Sequence, residues 1–424
     1  MQSFSFSTFK HMKIASSNLG RFSLLVLLKA IYLCLVSGIV LLSPAGRDSA
    51  MGPVKHILWT PDGHPTFESY FTTWDAGHYL HLSEEGYHSG DEACAFYPLW
   101  PLLMRWFSIL TGGDRIISGM LLANVFSLIG AFIMLKLVSR RFGEIVGWWS
   151  VAMLFAFPGS LFFQFIYSES QFFLLLMLLL FGLERGNFTM AFVAALLLPL
   201  TRAVGIFSVF PIAFHLAQQW SKNYQLNVVQ HWWGRWLIQM VGTGQFEKPE
   251  LPGASANANK KTHWWLLAAP FYGWAIYFIL MWGWTNNPFE GFEAQKNWGV
   301  QSIGNLFNFP KFVLALFNPT VWHGFTGSLL DRCTFVLVLY CLPVIWRLDR
   351  TWFVWALVLG VVPAMSGMFT SFTRFASMAF PVYVALAVWL ANPGRRHLRL
   401  VVLTSLVAMH FFLLWRFIFF QWAG

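Results

Sequence analysis

One acidic side chain in this sequence stands where proton-transfer chemistry is expected. Asp75 lies between Trp74 and Tyr79 in a loop after the first apolar run, and only 11% of the residues are charged. A carboxylate in such an aromatic setting is a candidate for chemistry rather than for solvation. We therefore predict that Asp75 is the first candidate for a catalytic residue.

Three further charged groups lie at the outer ends of apolar runs, namely Glu169, Arg202 and Arg374. A charge at mid-membrane costs about 2.5 to 3.5 kcal/mol, so a simple end-anchoring role is the alternative for each group alone. Taken with Asp75, they suit a site for an alcohol and a phosphate. The carboxylate would take the hydroxyl proton, and the arginines would hold the phosphate through paired hydrogen bonds.

The loop around Asp75 also contains a histidine pattern that is similar to a metal site. Residues 44–94 hold eight of the eighteen acids, most of which are expected only to keep the loop solvated. His78, His81 and His88 lie close to Glu84 in this stretch. Because this spacing is common in histidine-rich loops, it is a weak signal, and no divalent metal is expected.

The composition indicates that this is a membrane protein. Hydrophobic residues make up 57% and aromatic residues 19% of the chain, which is too much apolar surface for one water-soluble core. The net charge of +10 comes from short basic clusters between apolar runs, which indicates membrane topology and not nucleic-acid binding. The positions of the four cysteines argue against a disulfide framework and allow at most one bridge, between Cys94 and Cys333. We predict a single membrane domain over residues 1–424.

The apolar runs predict an all-α polytopic bundle of about eleven spans. The first run is too long for a signal peptide and is expected to be retained. Lys10, Lys13 and Arg21 precede it without an acid, which predicts a cytoplasmic N-terminus. The predicted spans are 22–42, 119–139, 145–166, 170–184, 187–200, 203–217, 264–284, 333–346, 352–368, 375–391 and 399–420.

Two connecting segments have distinct predicted roles. Residues 44–118 form the first outer loop and would carry the catalytic acid together with interfacial helices. Within it, residues 95–110 contain Pro98 and Pro101, which favours a short interfacial or re-entrant helix instead of a span. Residues 218–263 are polar and are expected to form a cytoplasmic loop without catalytic groups.

Several motifs, in this order along the chain, resemble one known family. The first outer loop resembles the signature of the PIG-V family, the second mannosyltransferase of glycosylphosphatidylinositol assembly and its prokaryotic relatives. Further segments match that family in the same order. The matching residues are Trp74-Asp75-Ala76-Gly77-His78-Tyr79, Glu85-Gly86-Tyr87, Ala95-Phe96-Tyr97-Pro98-Leu99-Trp100-Pro101, Tyr167-Ser168-Glu169-Ser170, Thr201-Arg202-Ala203-Val204-Gly205, Asn297-Trp298-Gly299, Arg374-Phe375 and Phe380-Pro381.

The resemblance implies a GT-C glycosyltransferase fold, a polyprenyl phosphate sugar as donor and an acid in the first outer loop. By this resemblance, Asp75 is the general base of an inverting transfer, and mannose is the expected sugar. Arg202 or Arg374 would bind the leaving phosphate, while Glu169 and His78 would orient sugar hydroxyls. Further substrate contacts are expected from Trp74, Tyr97, Asn297 and Trp298.

Other properties stay open at the level of sequence. The acceptor is expected to be lipid-linked or a glycan, and a small membrane partner subunit is an option. The compact loops favour a bacterial plasma membrane over the endoplasmic reticulum, with the active site outside. A transporter or lipid flippase is the alternative class, but no internal repeat and no clear mid-membrane charge supports it. A non-catalytic family member is the third alternative.

Overall fold

The protein is a bundle of α-helices with short 3₁₀ turns between them. Its structure, a computed structural model, describes residues 17–42, 68–228, 262–298, 308–365 and 369–424. The α-helices of this part are α1 (Asn18–Leu42), α2 (Asp75–Glu84), α3 (Leu99–Phe107), α4 (Arg115–Phe142), α5 (Glu144–Ala156), α6 (Glu169–Arg185), α7 (Phe188–Thr201), α8 (Val209–Val228), α9 (Ala269–Thr285), α10 (Glu290–Ala294), α11 (Phe309–Phe317), α12 (Leu329–Leu348), α13 (Arg350–Gly360), α14 (Val362–Met365), α15 (Phe372–Ala376), α16 (Phe380–Leu390) and α17 (Arg396–Ile418).

The predicted all-α polytopic membrane fold is confirmed. Over the described ranges the chain forms no β-strand, only an isolated bridge between Val321 and Ser328. Five helical segments are long and apolar enough to cross a bilayer. They are Asn18–Leu42, Arg115–Phe142, Trp264–Thr285, Leu329–Leu348 and Pro393–Ile418. Shorter apolar helices such as α5, α7 and α16 accompany them, and the count of eleven spans stays a prediction.

Four predicted segments have different helix boundaries in the structure. The run 145–166 breaks at Phe157, which is extended, and continues as a 3₁₀ turn over Pro158–Phe163 because Pro158 cannot continue α5. The run 203–217 starts with a 3₁₀ turn, and α8 continues into the predicted cytoplasmic loop as far as Val228. The runs 352–368 and 375–391 are likewise divided into shorter helices.

Charged residues at several helix ends pair with one another. Arg21 near the start of α1 binds Glu144, the first residue of α5, at 3.1 Å. Arg141 near the end of α4 binds Asp349 at 2.6 Å and Glu184 at 3.6 Å. The sequence places all of these helix ends on the cytoplasmic side. Their mutual contacts group those ends together, while the orientation of the bundle in the membrane stays a prediction.

The centre of the bundle is packed closely around α6. This helix lies between α4 and α7, and its Phe172, Phe173 and Leu176 are fully buried. Gly182 allows α7 to approach, because a side-chain carbon at this position would lie 2.8 Å from the backbone nitrogen of Ala191. Close approach at small residues is a main source of helix association in lipid. This packing fixes the start of α6 beside the end of α7.

Candidate active site

Asp75 is the first residue of α2 and forms an ion pair with Arg374. The distance between Asp75 Oδ2 and Arg374 Nη1 is 2.5 Å. The preceding residue, Trp74, has φ 57° and ψ −127°, a backbone conformation that is strained for a residue with a side chain. Asp75 retains 23% side-chain exposure, whereas the side chain of Arg374 is 5% exposed. The carboxylate is therefore held from the protein side and remains open on the other.

Arg374 connects Asp75 to a second acid. It lies on the short helix α15, and its Nε donates a hydrogen bond to Glu169 Oε1. Its guanidinium also faces the rings of Tyr167 and Phe162 at 4.6 and 5.0 Å. Burial alone would lower the pKa of Arg374, but Asp75 and Glu169 together raise it. The guanidinium therefore stays charged in its buried position.

Glu169, the first residue of α6, joins the two arginines. Its Oε1 accepts a hydrogen bond from Arg202 Nη1 at 2.6 Å in addition to the bond from Arg374. Arg202 follows the last residue of α7 in an extended conformation and stacks on Phe375 at 4.8 Å. Glu169 is fully buried, and its Oε2 has no hydrogen-bond partner among the described residues.

We call Asp75, Glu169, Arg202 and Arg374 the acid–arginine cluster. Each member comes from a different segment of the chain, and the structure brings all four into one chain of ion pairs. Two carboxylates and two guanidiniums balance formally to zero charge. This neutrality makes the burial of Glu169 and Arg374, with Asp75 and Arg202 partly exposed beside them, tolerable in a membrane protein. An anion that enters must therefore share arginines that already have partners.

Two tyrosines that the motif analysis did not single out hold the loop of Asp75 against the start of α6. Tyr167 donates its hydroxyl to the carbonyl of Thr73 at 2.9 Å. Tyr79 lies one turn after Asp75 on α2, and its hydroxyl contacts Ser168 Oγ at 2.8 Å. Both tyrosines belong to the motifs named above, but only the fold shows that their hydroxyl groups connect the loop of Asp75 to the residues around Glu169.

Asp331 is a buried acid that sequence reasoning missed. It lies near the start of α12 and is fully buried, and its Oδ1 accepts a hydrogen bond from the backbone N–H of Thr373 at 2.7 Å. The hydroxyl groups of Thr334 and Thr373 are 3.1 Å apart. Asp331 therefore fixes the residue directly before Arg374. Its only sequence signal is an acid at the end of an apolar run, which also fits a helix cap.

Of the remaining predicted substrate contacts, His78 and Tyr97 lie beside the cluster. His78 is on α2 and stacks on Phe96 with ring centres 5.1 Å apart; burial lowers its pKa, although Asp75 opposes this shift. Tyr97 stacks on Tyr277 at 4.9 Å. Burial raises the pKa of the Tyr97 hydroxyl, and the charge of Arg202 opposes that rise.

Two predicted substrate contacts, Asn297 and Trp298, lie in a later outer loop, and no contact between them and the acid–arginine cluster is seen in the described residues. Asn297 is exposed in the 3₁₀ turn Gln295–Trp298, and the side chain of Trp298 lies outside the described residues. The turn docks on the first outer loop, since Gln295 donates a hydrogen bond to the carbonyl of Ala95 at 3.1 Å. Glu290 accepts one from the N–H of Gly90 at 2.6 Å. These bonds bring the two outer loops into contact.

The histidine pattern of the first loop does not assemble a metal site in the described part of the chain, where no three potential ligands come together. His81 instead contacts Asp91 at 2.8 Å. Two other predicted segments, residues 44–67 of the first outer loop and 229–261 of the cytoplasmic loop, lie outside the described residues. Independence from divalent metal thus stays a prediction.

Protein family models provide an independent comparison. The family model described as mannosyltransferase (PIG-V) matches residues 12–246, which is more than half of the 424 residues. The chain belongs to the PIG-V mannosyltransferase family. The matched region of this PIG-V family member contains Asp75, Glu169 and Arg202, while Arg374 comes from beyond it.

Solved structures show distant likeness only. The Archaeoglobus fulgidus oligosaccharyltransferase tethered to an acceptor peptide with the NVT sequon is 12% identical, with a TM-score of 0.45 over 95% of this chain and 55% of that one. The archaeal oligosaccharyltransferase AglB from the same organism, with an inhibitory peptide and dolichol-phosphate, is 13% identical, with a TM-score of 0.39 over 77% and 47%. The PIG-V family member spans about half the length of these proteins. Curated protein sequences give no significant match.

Proposed function

We propose that this protein transfers mannose from a polyprenyl phosphate mannose to a hydroxyl group of a lipid-linked or glycan acceptor, with inversion. The observation that carries this proposal is the position of Asp75, which is held by Arg374 at one oxygen and partly exposed at the other. Among the described residues, Asp75 Oδ1 has no hydrogen-bond partner. This oxygen is available to accept the proton of an incoming hydroxyl group.

The reaction balances with Asp75 as the only proton acceptor. The acceptor oxygen attacks the anomeric carbon, its proton passes to Asp75, and the bond from that carbon to the phosphate oxygen breaks on the opposite face. The polyprenyl phosphate leaves as a stable anion and needs no general acid. The product carries the inverted glycosidic bond, and Asp75 later releases its proton to solvent.

Arg202 is the better candidate for contact with the donor phosphate. Its side chain is 15% exposed, compared with 5% for Arg374. Within the described part of the chain, Arg202 pairs with one carboxylate, that of Glu169, whereas Arg374 pairs with both Glu169 and Asp75. A phosphate can therefore approach Arg202 at lower desolvation cost, while Arg374 orients the base. Full burial of Glu169 favours a role in holding both arginines over direct contact with sugar hydroxyls.

The surroundings of the cluster fit a lipid-linked donor. The protein lies in a bilayer, which would also hold the polyprenyl chain, and the first outer loop places the aromatic side chains of Trp74, His78 and Tyr97 near the cluster. We place the reaction on the outer face, in a bacterial plasma membrane in preference to the endoplasmic reticulum. A small partner subunit remains part of this proposal.

The experiment that tests the function is transfer of labelled mannose from polyprenyl phosphate mannose into membrane lipid or glycan. Asp75→Asn should slow transfer by roughly 10²- to 10⁴-fold at matched expression. Glu84→Gln, an exposed acid at the end of the same helix, is the control and should retain wild-type rates. Wild-type rates in Asp75→Asn would remove Asp75 as the base, and a wild type without transfer would contradict the donor assignment.

The same assay tests the phosphate contact. Arg202→Gln should raise the KM for the donor by about tenfold or more and weaken inhibition by free polyprenyl phosphate in parallel. Arg105→Gln alters an exposed arginine on α3 and is the matched control. Unchanged donor KM and unchanged inhibition in Arg202→Gln would contradict the assignment of the phosphate to Arg202.

A further inference from the structure

A short segment far from Asp75 in sequence packs directly on the residue before it. Residues 420–424 follow helix α17, and the indole of Trp422 contacts the indole of Trp74 edge to face, with ring centres 5.3 Å apart. Phe420 packs on Tyr70 with ring centres 5.4 Å apart and the two rings tilted by 33°. The 420–424 segment thus touches the first outer loop at Tyr70 and at Trp74, the residue before Asp75.

Several contacts hold the 420–424 segment in this position. Arg416 donates a hydrogen bond from Nε to the carbonyl of Trp422 at 2.8 Å, and Gln421 donates its N–H to the carbonyl of Arg416 at 2.8 Å. Trp422 also contacts Phe325 edge to face, with ring centres 4.9 Å apart. Ala423 is 2% exposed. The segment is therefore fixed from α17 and from the turn that precedes α12.

The segment also reaches the loop that carries Arg374. A side-chain carbon built on Gly424 would lie 3.4 Å from Ser371 Oγ. Among the described residues, five non-glycine residues have positive φ, and four of them lie in these contacting loops. The four are Trp74, Phe369, Ser371 and Phe420. Strained backbone of this kind persists only where surrounding contacts hold it.

We propose that Trp422 is a positioning residue, which holds Trp74 in its strained conformation and thereby aims the Asp75 carboxylate. The role in transfer rests on the proposed function, whereas the contact itself does not. Trp422 acts through Trp74 and needs no contact with substrate. A displacement of Asp75 of about 1 Å is sufficient to reduce a rate by about a hundredfold.

The first test measures the backbone of the loop and needs no activity. Hydrogen exchange of peptides covering residues 70–78 should become faster in Trp422→Ala and return toward wild type in Trp422→Phe. Trp415→Ala removes an exposed tryptophan of α17 and is the control. Equal exchange in wild type and Trp422→Ala would overturn the proposal, whatever the activity of the protein.

The second test locates the segment. Oxidation of a Ser371→Cys, Gly424→Cys double variant should give a linked peptide by mass spectrometry, and neither single variant should give it, because the spacing suits a disulfide. Absence of the linked peptide in the double variant would contradict the placement of residues 420–424.

The third test separates positioning from binding. Trp422→Ala should lower kcat by about 10- to 100-fold while donor and acceptor KM change by less than about threefold, and Trp422→Phe should recover most of the rate. Wild-type kcat in Trp422→Ala would overturn the positioning role. If the wild type transfers no mannose, the proposed function fails, and the exchange measurement still decides the role of Trp422.

Discussion

Asp75 and Arg374 lie 299 positions apart in the sequence and form an ion pair of 2.5 Å in the structure. Arg374 binds Glu169 at the same time, so one guanidinium orients the proposed base and neutralises a fully buried acid. Arg374 lies on α15, which has only five residues, and its side chain connects Asp75 to the rest of the acid–arginine cluster. In our proposal Arg374 orients Asp75, whereas Arg202 contacts the donor phosphate.

Replacement of Arg374 should show this double dependence. Arg374→Gln leaves Asp75 unheld and Glu169 with a single partner, so we expect kcat to fall at least about a hundredfold. The melting temperature in detergent should also fall, since loss of one partner of a buried pair costs about 3 to 5 kcal/mol. Arg374→Lys keeps the charge but can replace only one of the two bonds, and it should recover stability more than rate.

Asp331 offers a test of how the loop before Arg374 is held. Asp331→Asn keeps an oxygen that can accept the N–H of Thr373, and it should retain kcat within about threefold. Asp331→Ala leaves that buried N–H unpaired at a cost of about 1 to 3 kcal/mol, and kcat should fall with it. Kinetics and melting temperature of both variants are measured together. Equal behaviour of the two variants would show that acceptance of the Thr373 bond is not the role of Asp331.

Part of this site was predictable because charge is scarce in the chain. In an apolar sequence, charged residues are expected at helix ends or in a cluster, which pointed to Glu169, Arg202 and Arg374. The resemblance in the first outer loop added the prediction that Asp75 is the general base. The prolines Pro98 and Pro101 predicted a short interfacial or re-entrant helix instead of a span over 95–110, and the structure has the nine-residue helix α3 there.

The remaining features depend on tertiary contacts that leave no periodic signal. The sequence does not show that Arg374 binds two acids, because hydropathy patterns give helix ends but not the pairs between them. It does not reveal Asp331, whose position also suits a helix cap. The 3₁₀ turn Pro158–Phe163 was predicted as part of a span because the run 145–166 is apolar on both sides of Pro158.

That turn provides a further prediction at Gly159. A side-chain carbon at this position would lie 2.0 Å from the carbonyl oxygen of Thr373 and 3.0 Å from the Cα of Arg374. Gly159→Ala must therefore displace the backbone beside Arg374, and we expect kcat to fall by at least about tenfold with reduced thermal stability. Gly283→Ala, which meets no atom within 4 Å, is the control and should behave as wild type. Normal kinetics in Gly159→Ala would contradict the close approach.

His323 should make the stability of the protein depend on pH. Burial lowers its pKa to about 4, with a smaller lowering effect from Arg416, while the backbone of Ala423 beside the ring opposes the shift. The unfolded chain has the ordinary pKa of about 6.5 and therefore binds the proton first as pH falls. Protonation thus favours unfolding, so stability should decrease as pH falls from about 6.5 and level off near 4.

The size of this effect is on the order of 3 kcal/mol for two to three pKa units, so it is measurable in the melting temperature between pH 7 and 4.5 in detergent. His323→Gln removes the titrating group and can keep a hydrogen bond to Ser328. It should therefore reduce the loss of stability on acidification, with His78, whose pKa is also lowered by burial, accounting for part of what remains. An unchanged pH dependence in His323→Gln would show that His323 is not neutral and buried in the folded protein.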